Sequence, residues 1–252
     1  MRLAFSPTGV HERRQESTVA KHFGLREPTS GMSLRTRLAA ATLGAFSLVA
    51  CLTGARAPVA AADDVAEVRA VGAFDRVRSD GVFTVHVAAG AREQKVVVRG
   101  APDVVSRTMT ETHDGTLEIR LRSGSEMRTM NRPIVVDIDV PALRRFENAG
   151  VGTATLAGLF GEVALVNSGT GTITATGTAT RETIDNSGVG AVDATNVRAG
   201  DVTAMSSGVG SIMLRVAGTL TANVSGIGRV TYLGAPTHVA SHVSGLGSVE
   251  PG

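Results

Sequence analysis

The sequence predicts an all-β protein: a β-solenoid of roughly six coils over residues 146–252, preceded by a β-rich portion over residues 63–145. Three observations predict it. A small-Gly-x-Gly motif recurs at near-constant period, apolar residues hold fixed columns between its copies, and four earlier segments alternate apolar with polar residues.

The motif stands at Ala149-Gly150-Val151-Gly152, Ser168-Gly169-Thr170-Gly171, Ser187-Gly188-Val189-Gly190, Ser207-Gly208-Val209-Gly210, Ser225-Gly226-Ile227-Gly228 and Ser244-Gly245-Leu246-Gly247. Successive first glycines lie 19, 19, 20, 18 and 19 residues apart. A sharp reversal between two sheets needs either a backbone at positive φ or an approach too close for a Cβ, and glycine supplies both. The twelve glycines are therefore read as structural corners. A valine at Gly188 or Gly208 is expected to destabilise the stack through positive-φ strain.

The columns come next. Two residues past each second glycine stand Ala154, Ile173, Val192, Ile212, Val230 and Val249, with mostly polar residues on either side. Four residues past it stand Leu156, Ala175, Ala194, Leu214 and Tyr232. Four residues before each first glycine stand Phe146, Leu165, Ile184, Ala204 and Ala222. Alternation at the same register in every repeat describes strands stacked as rungs, with about two strands and two turns per coil. Asn148, Asn167 and Asn186 precede the first three corners and read as a ladder of turn amides rather than a ligand site.

In front of the solenoid, period-two alternation marks strands at 82–87, 95–98, 117–121 and 134–140. Turn formers separate them: Ser79-Asp80-Gly81, Ala89-Gly90, Gly100-Ala101-Pro102-Asp103 and Asp114-Gly115, the last a hairpin signal. Residues 103–111 are expected to form a short helix.

The first 62 residues read differently. Arg35 and Arg37 precede a thirteen-residue apolar run, Leu38–Ala50, too short to span a membrane as a helix and followed by small residues. That is the layout of a secretory signal peptide over residues 32–62, with residues 1–31 as an upstream extension. Leu48-Val49-Ala50-Cys51 resembles a lipobox in which Cys51 would be acylated; cleavage before Asp63 is the alternative. Cys51 is the only cysteine, so the body of the protein has no disulfide, no cysteine-based metal site and no thiol nucleophile.

Charge excludes a further class. Residues 1–62 carry eight Lys/Arg against three Asp/Glu, and residues 63–252 carry seventeen against twenty. The body is mildly acidic, which removes the electrostatic basis for binding nucleic acid. The Gly-x-Gly strings lead into no helix and are followed by no Lys-Ser/Thr pair, so no phosphate-binding loop is read. A threonine ladder of the ice-binding kind, begun by Thr153, Thr155, Thr172 and Thr174, is broken by Ala191, Asp193, Met213 and Arg229. Glu147, Glu162, Glu182, Asp185, Asp193, Asp201 and Glu250 fall in no single column, as a polysaccharide-cleaving site would require. His238 and His242 would face one way on a strand, but neither they nor His86 and His113 compose a metal site. No catalytic residue, cofactor or metal is expected.

From Phe74 to Gly252 the chain resembles the GIN-domain family of auto-transporter adhesin head domains. The resemblance rests on Phe74-Asp75-Arg76-Val77, the Asp114-Gly115-Thr116-Leu117-Glu118-Ile119 hairpin, Val140-Pro141-Ala142-Leu143 and the Ser-Gly-x-Gly corners. It implies a right-handed parallel β-helix-like fold whose glycine corners join two sheets. It also implies an exported protein without an established enzyme activity, for which adhesion is a conjecture. The functional expectation is an envelope-associated, adhesin-like binding module for an unidentified macromolecule, touching a membrane only through a lipid anchor. The alternatives are a polysaccharide-acting enzyme on a β-helix scaffold and a purely structural periplasmic protein.

Overall fold

The structure, a computed structural model, describes residues 64–123 and 133–252, all within the unit Ala57–Gly252. The leader over 32–62, the extension over 1–31 and Cys51 lie outside the described residues. Among the described residues no helix is long and apolar enough to cross a membrane.

Two sheets of mainly parallel strands face each other across one core. The first sheet runs through β6 (Thr116–Leu121), β2 (Arg76–Asp80), β8 (Arg145–Asn148), β10 (Glu162–Asn167), the later part of β11 (Thr170–Asn186), the later part of β12 (Val189–Ser206), β14 (Thr219–Val224) and β16 (His238–Val243). The second runs through β7 (Val135–Val140), β3 (Val82–Ala89), β9 (Val151–Leu159), the early parts of β11 and β12, β13 (Val209–Val216), β15 (Ile227–Leu233) and β17 (Ser248–Pro251). Each coil crosses the first sheet, turns at a glycine corner and returns through the second. This is the β-solenoid of about six turns and 19-residue coils that the repeat predicts.

The expected apolar columns fill the core. Ala154, Ile173, Val192, Ile212 and Val230 are buried in register in the second sheet, as are Phe146, Leu165, Ile184, Ala204 and Ala222 in the first. The core is thus built by stacking, since a single coil exposes its apolar edges above and below. At ~25 cal/mol per Å² of apolar surface, each fully buried Ile or Leu in these columns contributes about 2 kcal/mol.

The stack also reaches further back than the repeat does. Val82 pairs with Val151 and Ser79 with Asn148, so Ser79-Asp80-Gly81 is a corner of the same kind, with β2 and β3 on its two sides. The chain then leaves the stack and returns on its other flank. There β6 pairs in parallel with β2, and β7 with β3. Antiparallel strands finish this end: β5 (Thr108–His113) on β6, β4 (Lys95–Gly100) on β7, and β1 (Val65–Arg69) on β4. They cover the rung edges that an unfinished parallel stack would leave open to pairing.

The expected helix over 103–111 is one turn only, α1 (Pro102–Val105). Residues 108–113 instead extend as β5, because Asp114 (φ +48°) and Gly115 (φ +72°) close a two-residue hairpin that pairs His113 with Thr116. Two positive φ values in the turn match the right-handed twist of the flanking strands.

Beside the corners runs a ladder of buried side-chain amides. Asn148 Nδ2 donates to Asn167 Oδ1 at 2.9 Å, and Asn167 Nδ2 donates to Asn186 Oδ1 at 3.0 Å. The chain of bonds ends where Asn186 Nδ2 donates to the Gly190 carbonyl at 3.2 Å. In later rungs Ser206 and Val224 occupy the column, so an apolar residue also fits it. A single Asn167→Val change strips partners from both neighbours and is expected to cost about 2–4 kcal/mol. Replacing Asn148, Asn167 and Asn186 together with valine leaves no orphaned amide and is expected to cost less than the single change. Urea unfolding of the two variants checks this; a triple variant weaker than the single one contradicts the ladder.

Candidate binding surface

The two long edges of the solenoid differ. On the corner edge every x of Gly-x-Gly points away from the core. Val82, Val151, Thr170, Val189, Val209 and Ile227 follow one another in register, one per rung. Val151 is 51% exposed, Val189 52%, Val209 48% and Ile227 56%, and Leu246 of the last corner reaches 79%. The column beside it, Ser168, Ser187, Ser207, Ser225 and Ser244, is small and exposed. At ~4.8 Å per rung the aliphatic ladder runs for about 29 Å. Exposed aliphatic side chains are ordinary when scattered, but a row of them in register, interrupted at Thr170, is a marked feature of a surface.

The corners hold this geometry through close backbone stacking. Gly152, Gly171, Gly190 and Gly210 have φ of +150°, +155°, +138° and +153°. A Cβ on any of them would lie well inside the carbonyl oxygen of the rung below. Gly188 and Gly208 do not have positive φ, so the expected strain is absent there. What demands glycine at those two positions is the carbonyl of Gly169 or Gly188 beneath the Cα.

The outward columns of the second sheet begin with Thr84, Thr153 and Thr172 and continue with Ala191, Ser211 and Arg229. The next column runs Thr155, Thr174, Asp193, Met213, Thr231 and Glu250. His238 and His242 face outward together, four residues apart on β16. That separation is about 13 Å along a strand, too far for both to ligate one ion. Among the described residues no group of three His, Cys, Asp or Glu could hold a metal ion.

The acids do structural jobs. Glu147 pairs with Arg78 and, at 3.0 Å, with Arg145. Glu162 pairs with Arg181 at 3.0 Å, and Glu250 with Arg229 at 3.1 Å. Asp193 accepts from the Thr195 amide and hydroxyl, and Asp201 from the Thr219 amide. At the far end of the first sheet, a hydrogen bond and the charge of Arg120 hold the Glu111 carboxyl below its usual range.

Glu182 is the exception. It lies in an inward column of the first sheet, between Val163 and Val202, and is fully buried. Neither carboxyl oxygen has a protein hydrogen-bond partner. Burial pushes its pKa up to about 8, so the group is mostly neutral at pH 7. Testing the acids only for a shared column missed this one. The signal was present: Glu182 stands two residues before Ile184, on the parity of the inward column.

The edge opposite the corners is irregular, because turns of different length close it. A cavity of about 500 Å³ opens there beside Phe160, Arg144, Glu162 and Arg181. Phe160 is 49% exposed, whereas Phe74, Phe83 and Phe146 are buried. A second cavity, of about 670 Å³, is lined by Gly177, Asn196, Arg198, Arg215, Ala217 and Gly234, among others.

The fold has known counterparts. A crystal structure described as a "putative adhesin" from Bacteroides fragilis superposes with a TM-score of 0.62 at 22% identity, covering 75% of this chain and 97% of that one. A "putative adhesin" from Parabacteroides distasonis gives 0.45 at 16% identity, covering 76% and 98%. A "putative lipid binding protein" from the same species gives 0.41 at 16%, covering 75% and 97%. No curated protein matches the sequence. The family model described as "Putative auto-transporter adhesin, head GIN domain" matches residues 73–236, from just before β2 to just after β15, and the chain belongs to that family.

Proposed function

We propose that the protein is an exported, envelope-associated binding module of the adhesin type, which meets another macromolecule along its corner edge. The observation that carries this reading is the exposed aliphatic ladder at Val151, Val189, Val209, Ile227 and Leu246. Keeping these side chains in water forgoes the free energy of burying them, and covering them recovers it. The scaffold suits the task, because stacked coils present a preformed face and little ordering entropy is lost on contact. Export is supported by the leader pattern of Arg35, Arg37 and Leu38–Ala50.

Thr170 occupies the same column, so threonine is compatible with the corner. A triple variant, Val189→Thr, Val209→Thr and Ile227→Thr, is therefore expected to keep its melting temperature while binding to envelope preparations of the producing bacterium falls about tenfold. Unchanged binding in that variant removes the ladder as the contact surface.

A further inference from the structure

We propose that the 670 Å³ cavity on the edge opposite the corners binds the carboxylate of an acidic sugar in an extended polysaccharide, through Arg198 and Arg215. The two arginines stand side by side on adjacent rungs. Ala199 pairs with Val216, both buried, and each arginine immediately precedes its member of that pair and points outward. Like charges placed side by side in a sheet destabilise it unless something neutralises them.

Elsewhere in the stack, arginines on neighbouring rungs have carboxylate partners: Arg76 and Arg145 stand side by side, but Arg76 pairs with Asp75 and Arg145 with Glu147. Glu162, Arg181 and Asp201 follow one another in one column, and Arg229 pairs with Glu250. Arg181, Arg198, Arg215 and Arg229 are the four Lys/Arg residues between 146 and 252, and neither Arg198 nor Arg215 has a carboxylate partner among the described residues. This pair of positive charges sits in a body whose formal charge is −3.

The site is also shaped. Arg215 Nε donates to the Thr195 carbonyl at 2.9 Å, which fixes the plane of the guanidinium and leaves its terminal nitrogens free. A planar guanidinium held in this way matches a carboxylate bidentately. Gly177, Ala217 and Gly234 keep the wall low enough for a flat ring to approach, and the Asn196 amide offers a donor and an acceptor for hydroxyls. Apart from alanines, the apolar side chain in the lining is Val216, which is buried, so the site presents no large apolar side chain for insertion into a lipid surface.

Calorimetric titration of the whole protein with oligogalacturonate, and with neutral maltooligosaccharide of equal length, tests the assignment. Oligogalacturonate is expected to bind and the neutral oligomer not to. Arg198→Gln and Arg215→Gln should each weaken binding about tenfold at unchanged melting temperature, and added salt should weaken it further. Arg181→Gln, whose arginine is paired with Glu162, should bind like the wild type. Equal binding of the neutral oligomer overturns the proposal, as does unchanged affinity in the double Arg198→Gln, Arg215→Gln variant. Displacement by inorganic phosphate at concentrations matching the sugar carboxylate also overturns it, in favour of a general oxyanion site. The threonine ladder variant should bind oligogalacturonate normally, so this site stands or falls independently of the corner edge.

Discussion

Glu182→Gln is expected to flatten the stability of the domain between pH 4.5 and about 8, and Glu182→Leu to raise its melting temperature most above that range. The sign follows from where the proton is held. Below pH 4.5 the carboxyl is protonated in both the folded and the unfolded chain. Between 4.5 and about 8 the unfolded chain releases the proton and the folded chain keeps it, so stability falls as pH rises. Above that range both forms are ionised and the slope disappears. The displacement corresponds to roughly 5 kcal/mol in total.

Glutamine removes the titration but keeps an unpaired polar group in the core, so its stability becomes flat without becoming high. Leucine matches the company of the column, where Val163, Val202 and Leu220 stand on the other rungs. At pH 9 the leucine variant should gain several kcal/mol, or about 10 °C at the few degrees per kcal/mol typical of a domain this size. Melting curves of the three proteins from pH 4 to 9 measure both effects. A wild-type slope that persists in Glu182→Gln would assign the titration to another group.

The same residue marks the boundary of what the sequence made legible. The corners were readable because their cause is local and repeated: in each of the six repeats a backbone passes beneath the corner Cα atoms and leaves no room for a Cβ. The inward columns were readable because stacking enforces one register through all the coils. Glu182 broke the expectation attached to its residue type, although its position followed the rule. The corner at Gly81 was hidden for a different reason. It lies 69 residues before Gly150, and its second glycine is replaced by Phe83, which pairs with Gly152.

The order of rungs at the finished end was hidden too, because β6 and β7 stack on the far flank of β2 and β3 through long-range parallel pairing. Local patterning identifies such strands without saying which neighbour each will choose. The candidate binding residues divide in the same way. The ladder of Val151, Val189, Val209 and Ile227 sits inside the repeat motif and could be read from it. Arg198 and Arg215 come together only because β12 has four residues, 195–198, where β13 has Arg215 alone between the pairs Ala194–Leu214 and Ala199–Val216.

Gly210→Ala is expected to abolish cooperative folding or to cost more than about 4 kcal/mol, far beyond the usual price of a non-glycine residue at positive φ. Two effects are superposed at this position. Its φ of +153° disfavours any L side chain, and an added Cβ would overlap the Gly190 carbonyl oxygen directly below. Other glycines of the same protein separate the two. Gly90 (φ +88°) and Gly161 (φ +78°) also have positive φ, but a Cβ on either would meet nothing within 4 Å. Gly90→Ala and Gly161→Ala should therefore cost only about 1–2 kcal/mol, the strain alone.

Gly188→Ala supplies the converse case, overlap with the Gly169 carbonyl without positive φ, and should approach Gly210→Ala in severity. The overlap cannot be relieved within one rung, because that carbonyl accepts the Val189 amide at 2.9 Å and the same arrangement repeats above and below. Moving one corner strains the register of the whole stack. Chemical denaturation of the four variants decides the matter. Equal losses at Gly161 and Gly210 would mean that backbone conformation alone selects glycine. A large loss at Gly188 and Gly210, with a small one at Gly90 and Gly161, would mean that the spacing between rungs selects it.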